Sequence, residues 1–469
     1  MKIVFNTFFR EKMGGGAGRV SYEIVDAFAS KHEILFIKPG RSTKLKNKGK
    51  KLITFEIKSK GEGEVTIPLL DRNNIDYVFK TLEDFSPDVI HAQDPGPIAF
   101  LLQIWAKENN IPFIYTSHVL PTKTSDFGTK ELSRYFGKIL DSTIVKRYLL
   151  NFFNNCDGVI ALNESARKDI SKLGYSGRIF IVPNGRNLKL YNQFKLPSLS
   201  DSIKNLIFIG YLSERKNQKF LLDVMNYLPD NYKLTLIGKA LEGGYLEELK
   251  SYAQYKNVKN VLFTGEVDHK KVPRYLKESH VFVSASKMEV QSLVILEALA
   301  AGKPVVGLSN ETIDEFIDES VGFSFPNNIS PKKFAKKIEE ICSFSQEKYE
   351  EMCLNARKKV SRLDWGNVVD LTVEVYKKFT TDNNVLNRKS IKKERTEDML
   401  EKLSETLDLK KIFPQKKQEF KNDFYLYSLI LLTSLGGSFY SLLETSKSLK
   451  IQPLDYLSKA AQKFLAKKA

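Results

Sequence analysis

Two glutamates eight positions apart, Glu289 and Glu297, carry the clearest chemistry in the chain, within residues 284–306 (SASKMEVQSLVILEALAAGKPVV). A short strand expected at 280–286 leads into a polar loop holding Glu289. The helix expected at 292–301 follows, apolar apart from Ser292 and Glu297, and Gly302 and Pro304 stop it before a second strand. A helix apolar nearly all round is buried, and a lone buried carboxylate requires hydrogen-bond partners or a ligand hydroxyl. The helix start offers the backbone N–H groups of Ser292, Leu293 and Val294, and its dipole favours an anion there. Glu289 sits where open α/β sheets bind ligands, at the carboxyl end of a strand. One carboxylate at the mouth, one behind it and an anion hole between them suit a phosphorylated sugar. A buried βαβ crossover with a surface glutamate accounts for the same residues, and this stretch alone does not separate the two.

The elements that must position these residues alternate along the chain. A strand at 2–6 precedes the glycine run Gly14–Gly18 (GGGAG) and an amphipathic helix expected from about 19 to 29. Glycine lets backbone approach a phosphate or sugar closely. Neither GxGxxG nor GxxxxGK[ST] is present, which disfavours dinucleotide and P-loop readings. Strands are expected at 33–37, 88–92, 112–117 (ending at His118), 158–163 and 179–184, with a helix near 98–108. Residues 189–202 are polar, irregular and proline-containing and read as a linker. The pattern then restarts with strands at 205–210, 233–238, 260–265, 280–286 and 304–308, and an amphipathic helix at 364–379. This is an α/β chain of two successive doubly wound domains, with a cleft expected where their strand ends face each other.

With 469 residues the chain is long enough for two or three domains, and 42% hydrophobic with 28% charged residues describes a globular class. Cys156, Cys342 and Cys353 form neither a disulfide framework nor a CxxC metal pair, which points to a reduced cytosol. The N-terminal MKIVFNTFF enters a strand without a long apolar core, so secretion is not expected. A net charge of +17 calls for a polyanionic partner, a nucleic acid or an anionic membrane surface. Residues 41–51 hold six basic residues and no acid: Arg41, Lys44, Lys46, Lys48, Lys50 and Lys51. As a solvated loop they need no ligand; as a patch they suit phosphate head groups. Residues 129–154 mix Arg134, Lys138, Lys146 and Arg147 with aromatics, and read as helix lying on a membrane or, preferably, packed on the sheet. Residues 383–469 are lysine-rich with no strand pattern. Within them 424–443 are 20 uncharged residues, long enough to span a bilayer. Four serines and the Gly436–Gly437 pair favour a helical hairpin packed on the protein or dipping into the interface instead.

Taken together, these motifs resemble the GT-B glycosyltransferases, specifically the family-four group of retaining, nucleotide-sugar-dependent enzymes, over about residues 1–379. The resemblance rests on Glu289-x7-Glu297 within EVQSLVILEALAAGKPVV, GYLSERKN at 210–217 and VPNG at 182–185. The GGGAGR loop and residues 260–286 support it. The EVQSL form, with Gln291 two residues after Glu289, is similar to the diacylglycerol glucosyltransferases. The resemblance implies two Rossmann-like domains, an acceptor domain at 1–188 and a nucleotide-sugar domain at 203–364. A crossover helix at 365–380 would return to the first domain, and 383–469 would be a helical extension. It implies that Glu289 accepts bonds from donor-sugar hydroxyls and Glu297 holds the ribose. Lys216 would neutralise the diphosphate with the amides of Ser292, Leu293 and Val294. His118 would reach the sugar or its phosphate, Gly15 and Gly16 would give the sugar room, and Gly210 counts among the donor-binding residues. Retaining enzymes of this type use front-face attack within an ion pair, so no protein nucleophile is required. No Asp-x-Asp motif is present, so neither a metal nor another cofactor is expected. One departure stands out: where the family pattern has an arginine beside the diphosphate, this chain has Tyr211, a neutral donor, with Arg215 nearby.

These features favour a hexosyltransferase moving glucose from UDP-glucose to a membrane lipid such as 1,2-diacylglycerol. It would be cytoplasmic and peripheral on the inner face of the cell membrane. One alternative is mannosyl or other hexosyl transfer to a polysaccharide, isoprenoid-linked or phosphoinositide acceptor. Another is a non-catalytic basic binding protein; no nucleic-acid motif accompanies the charge, so nucleic acid is not the expected partner.

Overall fold

The computed structural model describes residues 1–380 except 48, 50, 61–65, 71, 124–142 and 194. The extension expected at 383–469 and its apolar stretch, together with Lys48, Lys50, Arg134 and Lys138, lie outside the described residues. The chain divides into two compact units, Met1–Val182 with the chain from Val369 onward, and Pro183–Val368. The division falls before the segment read as a linker, which lies wholly in the second unit and includes a short helix at Lys189–Asn192.

The first unit is built on a nine-stranded sheet. Its strands are β1 (Lys2–Asn6), β2 (Glu33–Gly40), β3 (Lys44–Asn47), β4 (Leu52–Lys60), β5 (Ile67–Pro68), β6 (Val89–Ala92), β7 (Phe113–Ser117), β8 (Gly158–Ala161) and β9 (Ile179–Ile181). The order is β3-β4-β2-β1-β6-β7-β8-β9, with β5 paired to β4. All neighbours are parallel except β3 and β5, which run antiparallel to β4. The apolar runs of β1, β6 and β7 are buried throughout their centres, as strands covered on both faces must be.

Two expectations change here. The basic run 41–51 is not an open loop: residues 44–47 form the edge strand β3, fully exposed. Lys46 Nζ lies 2.7 Å and Lys44 Nζ 3.8 Å from the Glu56 carboxylate on β4. A strand of Lys-Leu-Lys-Asn hides from pattern reading because it buries neither face, and lysines on an edge discourage further strand pairing. The glycine run is likewise not a loop up to residue 18, because the helix already begins at Gly15 (Gly15–Ala29). Gly14 caps it with φ of 81°, and a Cβ there would lie 2.2 Å from the Phe9 ring.

Within the aromatic-basic segment, the described part forms a helix, Thr143–Asn154, whose Tyr148, Leu149, Phe152 and Phe153 are buried. Phe152 packs against Phe100, Phe113 and Tyr115, so this helix lies on the sheet. The helix Trp365–Thr380 begins in the second unit and from Val369 belongs to the first. Its Tyr376 hydroxyl meets His91 Nδ1 at 2.5 Å, while Thr116 meets the other ring nitrogen at 2.7 Å. Burial pushes His91 down to a pKa of about 3, so it sits neutral between two hydroxyls.

The second unit is a six-stranded, all-parallel sheet of β10 (Lys204–Ile209), β11 (Tyr232–Ile237), β12 (Val261–Gly265), β13 (Val281–Ser284), β14 (Val305–Leu308) and β15 (Gly322–Phe325). The order is β12-β11-β10-β13-β14-β15. Alternate residues of β10 enter different cores: Leu206 and Phe208 join one cluster, Ile207 and Ile209 the other. The second cluster contains Ile295, Leu296, Ala298 and Leu299 of the helix Leu293–Ala300, which explains why that helix is apolar on almost every side.

Candidate active site

The site is assembled where β10 and β13 end. β13 stops at Ser284, and the loop that follows is drawn into the protein and held from three directions. From the loop after β14, Asn310 Nδ2 donates to the Ser286 carbonyl at 2.9 Å. Glu311 accepts from the Glu289 amide at 3.1 Å, and Thr312 Oγ1 accepts from the Ser292 amide at 2.7 Å. From the chain after β10, the Arg215 carbonyl accepts from the Lys287 amide and the Arg215 Nη1 donates to the Met288 carbonyl at 2.7 Å. From residues 183–185, the Asn184 amide donates to Gln291 Oε1 at 2.7 Å. Gln291 is therefore a brace between two loops of this unit.

This scaffold fixes Glu289 beside Lys216. The Lys216 ammonium donates to Glu289 Oε1, and Arg215 Nη1 lies 3.8 Å from the same oxygen. Lys216 ends a short 3₁₀ turn, Glu214–Lys216, and Asn217 closes it in the left-handed conformation. Both members of the pair are buried. Burial by itself raises the Glu289 carboxyl, but Lys216 and Arg215, with hydrogen bonds from Lys216 and Ser286, outweigh it and hold the carboxyl below its ordinary value. Burial also pulls the Lys216 ammonium down, against the attraction of Glu289. The result is an ionised carboxylate and two cations collected at the carboxyl ends of adjacent strands. That arrangement can bind a polyanion and accept hydroxyl hydrogen bonds.

Of the three amides expected to form an anion hole, one is taken up within the protein. Thr312 already takes the Ser292 amide, leaving the Leu293 and Val294 amides at the helix start, where Ser292 provides no side-chain cap. Glu297 is fully buried, with His269 Nε2 at 3.2 Å and the buried Arg186 Nε at 3.9 Å. Of the two alternatives raised for a lone buried carboxylate, the protein-partner one is met, by Arg186 and His269, neither of which was singled out from the sequence. The only sequence signal for Arg186 was its place directly after VPNG. Tyr211 follows Gly210 at the end of β10. Its carbonyl accepts from Gln218 Nε2 at 2.9 Å, and the Lys239 ammonium lies over its ring.

His118, Gly15 and Gly16 belong to the first unit. His118 stands just past β7, and its Nε2 lies 3.0 Å from Oε1 of the buried Gln93, which follows β6. Nearby, Asp94 accepts from the Phe8 and Gly96 amides; burial, opposed by these bonds, pushes it up to about 7. Of the basic run, Arg41 and Lys51 are exposed, and Lys44 and Lys46 are paired with Glu56. Among the described residues no group of three His, Cys, Asp or Glu could hold a metal ion, and no helix is long and apolar enough to cross a membrane.

Residues 14–190 match the family described as Glycosyltransferase Family 4, and residues 193–359 the family described as Glycosyl transferases group 1. The chain is similar to an alpha-monoglucosyldiacylglycerol synthase of Streptococcus pneumoniae, with 28% identity over 51% of this chain and 56% of that protein. It is also similar to an alpha-monoglucosyldiacylglycerol synthase of Acholeplasma laidlawii, with 26% identity over 51% of this chain and 63% of that one. The matched stretch spans less than two thirds of either relative's length. Among solved structures, sucrose-phosphate synthase from Thermosynechococcus elongatus superimposes with a TM-score of 0.64 at 18% identity, over 81% of this chain and 99% of that one. Anabaena HepE in complex with UDP-glucose gives 0.61 at 20%, over 81% and 100%. At these identities the structural likeness is one of fold.

Proposed function

Because the chain belongs to the family-four, group-one glycosyltransferases of the GT-B fold, we propose that it transfers glucose from UDP-glucose to a membrane lipid such as 1,2-diacylglycerol, with retention of anomeric configuration. The observation that carries the reading is the buried Lys216–Glu289 pair past the carboxyl end of β13, in the loop that leads into the helix Leu293–Ala300. Breaking the bond from sugar to diphosphate builds negative charge on the departing phosphate oxygens and positive charge on the sugar ring. Fixed cations and amide donors stabilise the first, and cost no reorganisation as the charge develops. Lys216 and Arg215, with the two amides, take that role. When Lys216 turns to the phosphates, Glu289 is released to accept the sugar hydroxyls, which orients the anomeric carbon for attack. Glu297, with Arg186 and His269 around it, is assigned to the ribose. No protein nucleophile is assigned, since the acceptor hydroxyl attacks on the face the diphosphate leaves, and metal-independent transfer follows from cations that are side chains.

The lipid acceptor is supported by the names of the two relatives and by Gln291 in the EVQSL form. Attachment to the inner, anionic face of the cell membrane is supported by the net charge of +17 and the exposed Arg41 and Lys51. Incubation with radiolabelled UDP-glucose and vesicles containing diacylglycerol should give a labelled chloroform-soluble product. A label that stays wholly in the aqueous phase rules out the lipid acceptor.

A further inference from the structure

The family pattern places an arginine where this chain has Tyr211, yet the second unit delivers a cation to that ring from the neighbouring strand. β10 and β11 leave the sheet side by side. Gly238, just past β11, has φ of 144°, and a Cβ there would lie 2.0 Å from the Gly210 carbonyl oxygen. Only glycine permits two strand exits this close. The Leu212 amide then donates to the Lys239 carbonyl at 2.9 Å and the Leu241 amide to the Leu212 carbonyl at 3.0 Å. A parallel bridge, Leu212↔Ala240, results. These bonds fix Lys239 beside Tyr211, and its ammonium sits 5.6 Å from the ring centroid, within cation–π range. Lys216 Nζ lies 3.8 Å from the position a Gly210 Cβ would take, so one ammonium stands at Gly210 and another on the ring of the residue that follows it.

Lys239 also faces Glu266, just beyond β12, at 3.9 Å, with that glutamate side chain 66% exposed. A long, solvent-screened pair of this kind holds a lysine weakly. A diphosphate, carrying more charge than one carboxylate, is a stronger partner for the same ammonium. We propose that Lys239, seated on the Tyr211 ring, is a further cation of the nucleoside-diphosphate site to which Lys216 and Arg215 are assigned, standing in for the arginine of the family pattern. Tyr211 then serves as the platform that positions the lysine and not as a phosphate ligand itself. A point charge on a flexible stem replaces a planar fork, so the site gains reach and loses bidentate geometry. This inference rests on the reading of the second unit as a nucleotide-sugar site.

The test is calorimetric titration of the full chain with UDP and, separately, with inorganic diphosphate, across a potassium chloride series. The wild type is compared with Lys239→Ala, Lys239→Arg and Lys216→Ala, and thermal unfolding checks that each is folded. Lys239→Ala should weaken both ligands by about five- to tenfold and flatten the salt dependence, as loss of one partly screened charge requires. Lys239→Arg should restore binding. Equal affinities for wild type and Lys239→Ala, with Lys216→Ala weakened, overturn the role of Lys239 and leave the donor-site reading in place. If the wild type binds neither probe, or if Lys216→Ala binds both unchanged, the donor-site reading falls and the Lys239 assignment with it.

Discussion

Lys216 and Glu289 neutralise one another inside the second unit, 73 residues apart in sequence and joined ammonium to carboxylate. The two groups assigned to opposite ends of the donor, phosphate and sugar, therefore hold each other when no donor is present. In the proposed site, donor binding would exchange one buried ion pair for two ligand contacts, with the desolvation of both charges already met by the fold.

Glu289→Gln should lower kcat by about a hundredfold or more, because a charged acceptor is replaced by a neutral amide in a water-poor site. It also removes the charge that raises the Lys216 pKa against burial. Without that charge Lys216 loses its proton at lower pH than in the wild type, so UDP affinity in the variant should fall earlier as pH rises. Calorimetry of both proteins across one pH series checks this; wild-type turnover in Glu289→Gln would remove Glu289 from the site.

Thr312→Val keeps the shape of the side chain and removes the acceptor of the Ser292 amide. An orphaned buried amide costs about 1–3 kcal/mol. The expected result is a lower melting temperature together with weaker UDP binding, since the same loop carries Glu289. Loss of stability with unchanged UDP affinity would separate the brace from the site.

Lys303 predicts a stability profile. Burial pulls its pKa from 10.5 to about 8. Between those values the unfolded chain holds more protons than the folded one, so stability rises with pH across that window. Lys303→Met should flatten the rise and, at neutral pH, stabilise the protein by up to about 3 kcal/mol. Urea unfolding between pH 7 and 10.5 measures both. The Lys303 ammonium donates to the Lys277 carbonyl at 3.2 Å, a bond the variant gives up.

The alternation of strands and helices was legible in the sequence because strands such as β1, β10 and β13 are apolar runs buried on both faces. Glu289 and Glu297 were legible as a loop glutamate and a helix glutamate eight positions apart, whereas Lys216 entered only through the GYLSERKN run that carries the family resemblance. What closes the site was not. Arg186 reaches Glu297 from 111 positions away, and Glu311 and Thr312 hold a loop some 20 residues earlier, through contacts that no local period records. The edge strand β3 was invisible for the opposite reason: it has a pairing partner but no buried face.

Arg41→Glu with Lys51→Glu should reduce flotation of the full chain with vesicles rich in anionic phospholipid, by roughly 1 kcal/mol for each cation removed near the surface. Neutral vesicles serve as the control. Undiminished flotation would assign these residues to solvation alone and shift membrane attachment to the chain beyond residue 380.

The helix Trp365–Thr380 has a consequence for the order in which the molecule is made. Residues 183–368 form one uninterrupted segment, whereas the first unit closes on itself only through a helix encoded after that segment. On the ribosome the first unit begins earliest and finishes last. Until Tyr376 has been synthesised, His91 lacks the hydroxyl that meets its Nδ1, and the hydrophobic wall provided by Tyr376 and Phe379 is missing. A fragment ending near residue 182 is thus a half-sealed sheet, and expression of the first unit by itself requires the helix Trp365–Thr380 to be grafted back or supplied in trans.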